Sequence, residues 1–79
     1  MTTLHRARNW KIQVFGREHG VPHFHVRTPD AAAVVAIDTL TVLSGSVDAK
    51  ALEEARSWAA PHRAELMAEW RRLNPEKPQ

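Results

Sequence analysis

Between residues 9 and 43 apolar side chains tend to alternate with polar ones, and from residue 48 they recur at three, four or seven residue steps. The first period is that of a half-buried strand and the second that of a helix with one buried face. A chain whose first half has one period and whose second half has the other is restricted to an α+β fold, strands first and helix last. Turn residues divide the first half. Residues 9–15 read as a strand carrying Ile12 and Val14. Gly16 and Gly20 bracket the charged run Arg17-Glu18-His19, and residues 22–28 read as a second strand opened by Pro22, which has no amide to donate. The two form an antiparallel hairpin. Pro29-Asp30 marks the next turn. Residues 32–38 form a third strand and residues 39–43 a short fourth, ended by Ser44-Gly45-Ser46.

Residues 48–73 are helical in composition. Leu52, Ala55, Ala59, Leu66, Trp70 and Leu73 make a stripe, with Trp58 and His62 filling it around Pro61. Asp48 suits the positive end of the helix dipole. A proline inside a helix removes a hydrogen bond and costs about 3 kcal/mol. Because the stripe keeps phase across Pro61, one kinked helix is expected; the alternative is two helices with Pro61 at the first position of the second. Residues 74–79 contain two prolines and read as a flexible tail. The expected fold is thus a single α+β domain with an ordered core over about 9–73. A three- or four-stranded antiparallel sheet, in the order β-β-β-(β)-α, is covered on one face by a long C-terminal helix. Its core draws on Ile12, Val14, Phe24, Val26, Val35, Ile37, Leu52, Ala55, Leu66 and Trp70.

A chain of 79 residues makes one domain. It contains no cysteine, which excludes disulfides and thiolate zinc sites. No stretch approaches the roughly 18 apolar residues of a membrane span, and residues 1–8 lack the apolar centre of a signal peptide; a cytoplasmic location is expected. Charge is uneven. Arg6, Arg8, Lys11, Arg17 and Arg27 are opposed in residues 1–29 only by Glu18, and every histidine but His62 lies there too. A basic half of this kind attracts nucleic acid or an acidic partner.

The run Pro22-His23-Phe24-His25-Val26-Arg27 concentrates the candidate chemistry. Residues two apart on a strand share a face at roughly 6.6 Å spacing, so Phe24 and Val26 enter the core while His23, His25 and Arg27 line the other face. Two imidazoles so placed can act as base and acid in metal-independent RNA cleavage, with Lys11, Arg17 or Arg27 stabilising phosphate charge. They can equally offer two nitrogens to zinc or another divalent metal, given a third ligand such as His19, or His62 with Glu65 one helical turn on. Alternatively they are ordinary half-exposed histidines and the protein acts by binding a partner. Packing the helix on the Phe24 face argues against His62 reaching His23 and His25. Trp58 and Trp70 read as core, whereas Trp10, beside Arg8 and Lys11, is placed to stack on a base. His5 lies on a terminus expected to fray.

Pro22-His23-Phe24-His25, Ile37-Asp38-Thr39-Leu40, a glycine before the helix, and Trp58, His62, Leu66 and Trp70 together resemble the small bacterial proteins grouped as domain of unknown function 4160. The resemblance runs from about residue 10 to residue 70. Glu18 and His19 match an acidic residue and a histidine often found in that family's loop; Val21 stands where a second proline is common. The resemblance implies a toxin-like component of a toxin–antitoxin module, and the histidines and cations make it one expected to bind RNA, with cleavage of that RNA left open. RNA, a cognate antitoxin-like small protein and a second copy of the chain are then the expected partners. The competing expectation is a non-enzymatic interaction module, metal-binding through His23 and His25.

Overall fold

The computed structural model describes residues 1–75. Five antiparallel strands, β1 (Thr2–Arg6), β2 (Lys11–Val14), β3 (His23–Arg27), β4 (Ala32–Ala36) and β5 (Val42–Ser46), form one sheet in sequence order. Helix α1 (Ala49–Ala59), a 3₁₀ turn (Ala60–His62) and helix α2 (Arg63–Leu73) follow. No helix among the described residues is long and apolar enough to cross a membrane.

The α+β class and the meander are as the periodicities predict; the strand count is not. Residues 2–6 form β1 because tertiary contacts hold them, not because they alternate. Thr3 pairs with Gln13, and the Thr2 hydroxyl donates to Glu69 on α2. A bulge at Leu4 shifts the register, so His5 faces Ile12 and Arg6 faces Lys11. His5, rather than fraying, packs between Trp10 and Trp58, with ring centroids 5.3 and 4.8 Å away. The fourth expected strand is displaced. Residues 37–41 turn, with Leu40 at φ +60°, and β5 starts at Val42 and runs through Ser44-Gly45-Ser46. Gly45 makes that run possible: it sits at φ +73° so close to β4 that a Cβ would lie 2.4 Å from the Ala32 carbonyl oxygen.

The helical half begins where Asp48 caps α1, its carboxylate accepting from the Ala51 amide at 3.1 Å. Ala51, Ala55 and Ala59 are buried along one stripe, small enough for α1 to approach the sheet closely. Pro61 resolves into a joint between the two expectations. No loop intervenes, but one turn tightens to 3₁₀ and α2 starts afresh at Arg63. The Trp58 carbonyl at this joint accepts a hydrogen bond from His62 Nδ1, and the Ala60 carbonyl accepts one from Arg63.

Ile12, Val14, Phe24, Val26, Val35 and Ile37 meet Ala55, Leu66 and Trp70 in the core, as expected; Leu52 and Trp58 are only half-buried at its margin. Trp10, which the sequence left open between the core and base stacking, is buried, and its Nε1 donates to Glu54 at 2.9 Å. Of the expected tail, Asn74 is firmly bonded to the rest of the fold, and residues 76–79 lie outside the described residues.

Two outcomes follow from this packing. Trp70→Ala removes the largest side chain joining α2 to the sheet and should cost about 3–5 kcal/mol, read as a lowered midpoint in denaturant; an unchanged midpoint contradicts the helix-on-sheet core. Glu69 ties β1 to α2. Its hydrogen bonds from Arg72 and then Thr2, against a smaller upward push from burial and helped by the charges of Arg72 and the N-terminus, hold its carboxyl down from 4.5 to about 2. The stabilisation is therefore complete above pH 4.5 and lost as pH falls toward about 2. Glu69→Gln should flatten the fall in thermal midpoint across that window.

Candidate functional site

The end of β3 nearest α2 gathers the chemistry. Pro22 accepts from the Ile37 amide at 3.0 Å, which fixes where β3 begins. His23, its first residue, is buried, with its ring 4.7 Å from Trp70. His23 Nδ1 lies 2.8 Å from the Val21 carbonyl oxygen. A carbonyl only accepts, so Nδ1 carries the hydrogen and Nε2 points elsewhere. It points at Glu18, whose Oε1 is 3.1 Å away. His25 Nε2 lies 2.7 Å from the same oxygen. His25 is half-exposed on the face away from the helices and abuts the edge of Phe15 at 4.5 Å.

Glu18 is the residue that the motif and charge pattern do not assign to the site; only the resemblance singles it out. Its placement comes from the loop between β2 and β3. Arg17 adopts φ +58°, which turns the chain back toward β3. The Glu18 amide donates to Asn74 Oδ1 at 2.8 Å, and Asn74 Nδ2 donates to the Phe15 carbonyl at 2.8 Å. One asparagine just past α2 thus clasps both sides of the turn. Burial pushes the Glu18 carboxyl up, but the hydrogen bond from His25, the charges of His25 and His23 and the His23 hydrogen bond outweigh it and hold the group below its ordinary value.

His19 and His62, the other candidate histidines, do not join. His19 is exposed on the loop. His62 stacks on Trp58 at 4.0 Å, nearly parallel, and so ends a column with His5 and Trp10. The direction of helix packing, already visible in the stripe, keeps it from the cluster.

The cations do converge, on the open face of the sheet. Arg6, Lys11 and Arg27 occupy adjacent positions in register across β1, β2 and β3. Like charges directly opposite repel, and among the described residues no carboxylate forms an ion pair with any of the three. They line a cleft of about 480 Å³ together with Arg8 and Gln13. Gln13 is buried and its Oε1 has no hydrogen-bond partner among the described residues, while Nε2 donates to Thr3 at 3.1 Å. A second cleft, of about 370 Å³, is lined by Phe15, Arg17, Glu18, His25 and Arg27. Arg27 belongs to both, so a basic row leads to the Glu18–His25 pair. The expected cations Lys11, Arg17 and Arg27 are all present along it; Arg6 and Arg8, which the charge count alone marked, extend it.

A five-stranded α+β domain with a histidine–carboxylate cluster at the head of β3 is the class that fold and site define. A family model described as a domain of unknown function (DUF4160) matches residues 9–71. The chain belongs to that family. No curated protein and no solved structure is similar enough to match.

The clasp has a measurable consequence. Asn74→Ala removes the bonds to Phe15 and Glu18 and should lower stability by about 1–2 kcal/mol. Hydrogen exchange at the Glu18 amide should accelerate by more than the global change explains. Exchange that rises no more than in α1 would show that the loop does not depend on Asn74.

Proposed function

We propose that this protein is the RNA-binding, toxin-like component of a bacterial toxin–antitoxin module, and that it acts on the phosphodiester backbone at the Glu18–His25 end of its basic row. The observation that carries the reading is the alignment of Arg6, Lys11 and Arg27 on three neighbouring strands, with no acidic ion-pair partner among the described residues. Three cations side by side lower stability unless an anion neutralises them, and a polyanion tracking across the sheet does so at every strand. Arg27 then delivers a phosphate to the cleft that holds His25 and Glu18.

In RNA the nucleophile is within the substrate. The 2′-oxygen attacks phosphorus as its proton passes to a base, a new oxygen–phosphorus bond forms, the bond to the 5′-oxygen breaks, and that oxygen takes up a proton. His25 is the half-exposed group of the cluster, and Glu18 holds and orients its Nε2. Arg17 and Arg27 supply charge where the phosphate gains it. A cognate antitoxin-like protein would silence the activity by covering this face.

The test uses a single-stranded RNA oligonucleotide. Lys11→Ala and Arg27→Ala should each weaken binding and reduce the slope of log affinity against log salt by about 0.7. His25→Ala and Glu18→Gln should lower cleavage by about 10²–10⁴-fold with smaller effects on binding. Salt slopes unchanged by the Lys11 and Arg27 substitutions would overturn the reading, as would undiminished cleavage by folded His25→Ala protein. The chain would then be an interaction module.

A further inference from the structure

We propose that Glu18, His23 and His25 form a binding site for one divalent transition-metal ion of the zinc class, with its open coordination position facing the cleft lined by Arg17 and Arg27. The site deepens the reading of this cluster as the reactive end of the basic row, but metal affinity is measured, and stands or falls, without RNA.

The donors converge. Glu18 Oε1, one nitrogen of His23 and one of His25 lie within 4.8 Å of one another. A tetrahedral ion with bonds of 2.0–2.2 Å holds its donors roughly 3.3 Å apart. The contacts of 3.1 and 2.7 Å from Glu18 to the two rings need to open by about 0.2 and 0.6 Å. Two imidazoles and one carboxylate form a mixed nitrogen and oxygen set that suits zinc and its neighbours and is a poor match for magnesium or calcium.

The nitrogens also present lone pairs where an ion would sit. The Val21 carbonyl fixes the His23 hydrogen on Nδ1. In the neutral ring, Nε2 therefore presents a lone pair to a carboxylate oxygen, which also has only lone pairs to offer. His25 Nε2 is aimed at that same oxygen. The second imidazole has its centroid 5.5 Å from that of His23, so both rings border one small space beside Glu18. A single divalent ion satisfies all three donors at once. A ligating histidine whose other N–H is given to a backbone carbonyl is also the usual outer support of a metal site.

The surrounding fold preorganises the three ligands. Trp70 packs against the His23 ring, Phe15 abuts that of His25, and Asn74 holds the Glu18 backbone. Three ligands from one strand and one pinned loop lose little freedom on binding. With three protein donors, a fourth position remains for water or a phosphate oxygen, and the 370 Å³ cleft gives access to it. An ion held there by Glu18, His23 and His25 would polarise a bound water or phosphate oxygen.

The experiment is a titration of chelator-treated full-length protein with zinc chloride, followed by calorimetry, and in parallel with cobalt(II) chloride, followed by visible absorption. One equivalent should bind, and the cobalt form should show the intense visible bands of a four- or five-coordinate ion. Zinc should raise the thermal midpoint, because it binds only the folded chain. Glu18→Gln and His25→Ala should each weaken zinc by more than about 100-fold, beyond the 10–100-fold typical of outer-shell losses. His19→Ala, which changes a neighbouring histidine outside the cluster, should leave affinity and stoichiometry unchanged. His23 is buried and its loss can unfold the protein, so the decisive variants are those at Glu18 and His25. Absence of a one-to-one complex at micromolar zinc would overturn the site. Equal losses from His19→Ala and His25→Ala would also overturn it, by marking scattered surface chelation. Neither result would touch the salt-slope measurement, which alone decides whether the basic row binds RNA.

Discussion

The docking of α2 on β2 and β3 is the constraint from which the rest follows. Leu66 and Trp70 complete the core over Ile12, Val14 and Phe24. The same Trp70 backs the ring of His23, the first residue of β3. One turn later Asn74 reaches the loop that carries Glu18. A hydrophobic contact thus sets the position of a polar cluster on the other side of β3. In a chain too small to bury much surface, the residues that stabilise the fold and those that shape the site cannot be separated sets.

The open face shows the opposite balance. A sheet covered on one side by helices normally turns simple polar residues to water. Here it presents three cations in register, a buried glutamine whose oxygen is unpaired among the described residues, and a histidine locked to a carboxylate. The first two lower stability relative to a neutral alternative. Their concentration on one face, in continuous clefts, is better explained by a ligand than by folding.

What the sequence made legible is what depends on period. The strands around Ile12, Phe24 and Val35, the helical stripe and the basic bias of the first half all follow from spacing, as does the sidedness of His25 and Arg27. What it concealed depends on contacts between distant segments. β1 has one apolar residue, Leu4, and is held by Thr3 on Gln13 and Thr2 on Glu69, which no local pattern reveals. β5 hid behind Ser44-Gly45-Ser46, where the glycine serves a close approach to β4 and not a break. Glu18 hid because a loop residue has no period; its partnership with His23 and His25 required knowing that the turn folds back over the strand. His62 looked like a ligand by composition, yet its place in the helical stripe already directed it to Trp58.

The bulge at Leu4 carries one more consequence. In an unbroken ladder, Thr3 opposite Gln13 would put His5, not Arg6, opposite Lys11, and Leu4 would take the place of His5 opposite Ile12. The single extra residue changes the parity of the strand between its two ends. It lets the same short segment send a hydroxyl to one row of the open face, a guanidinium to the next and an imidazole into the aromatic column on the reverse. The composition of the polycationic row is therefore decided by chain length at one point as much as by residue type. A shortened β1 would fold onto the same sheet while presenting a titratable ring where a permanent charge now stands.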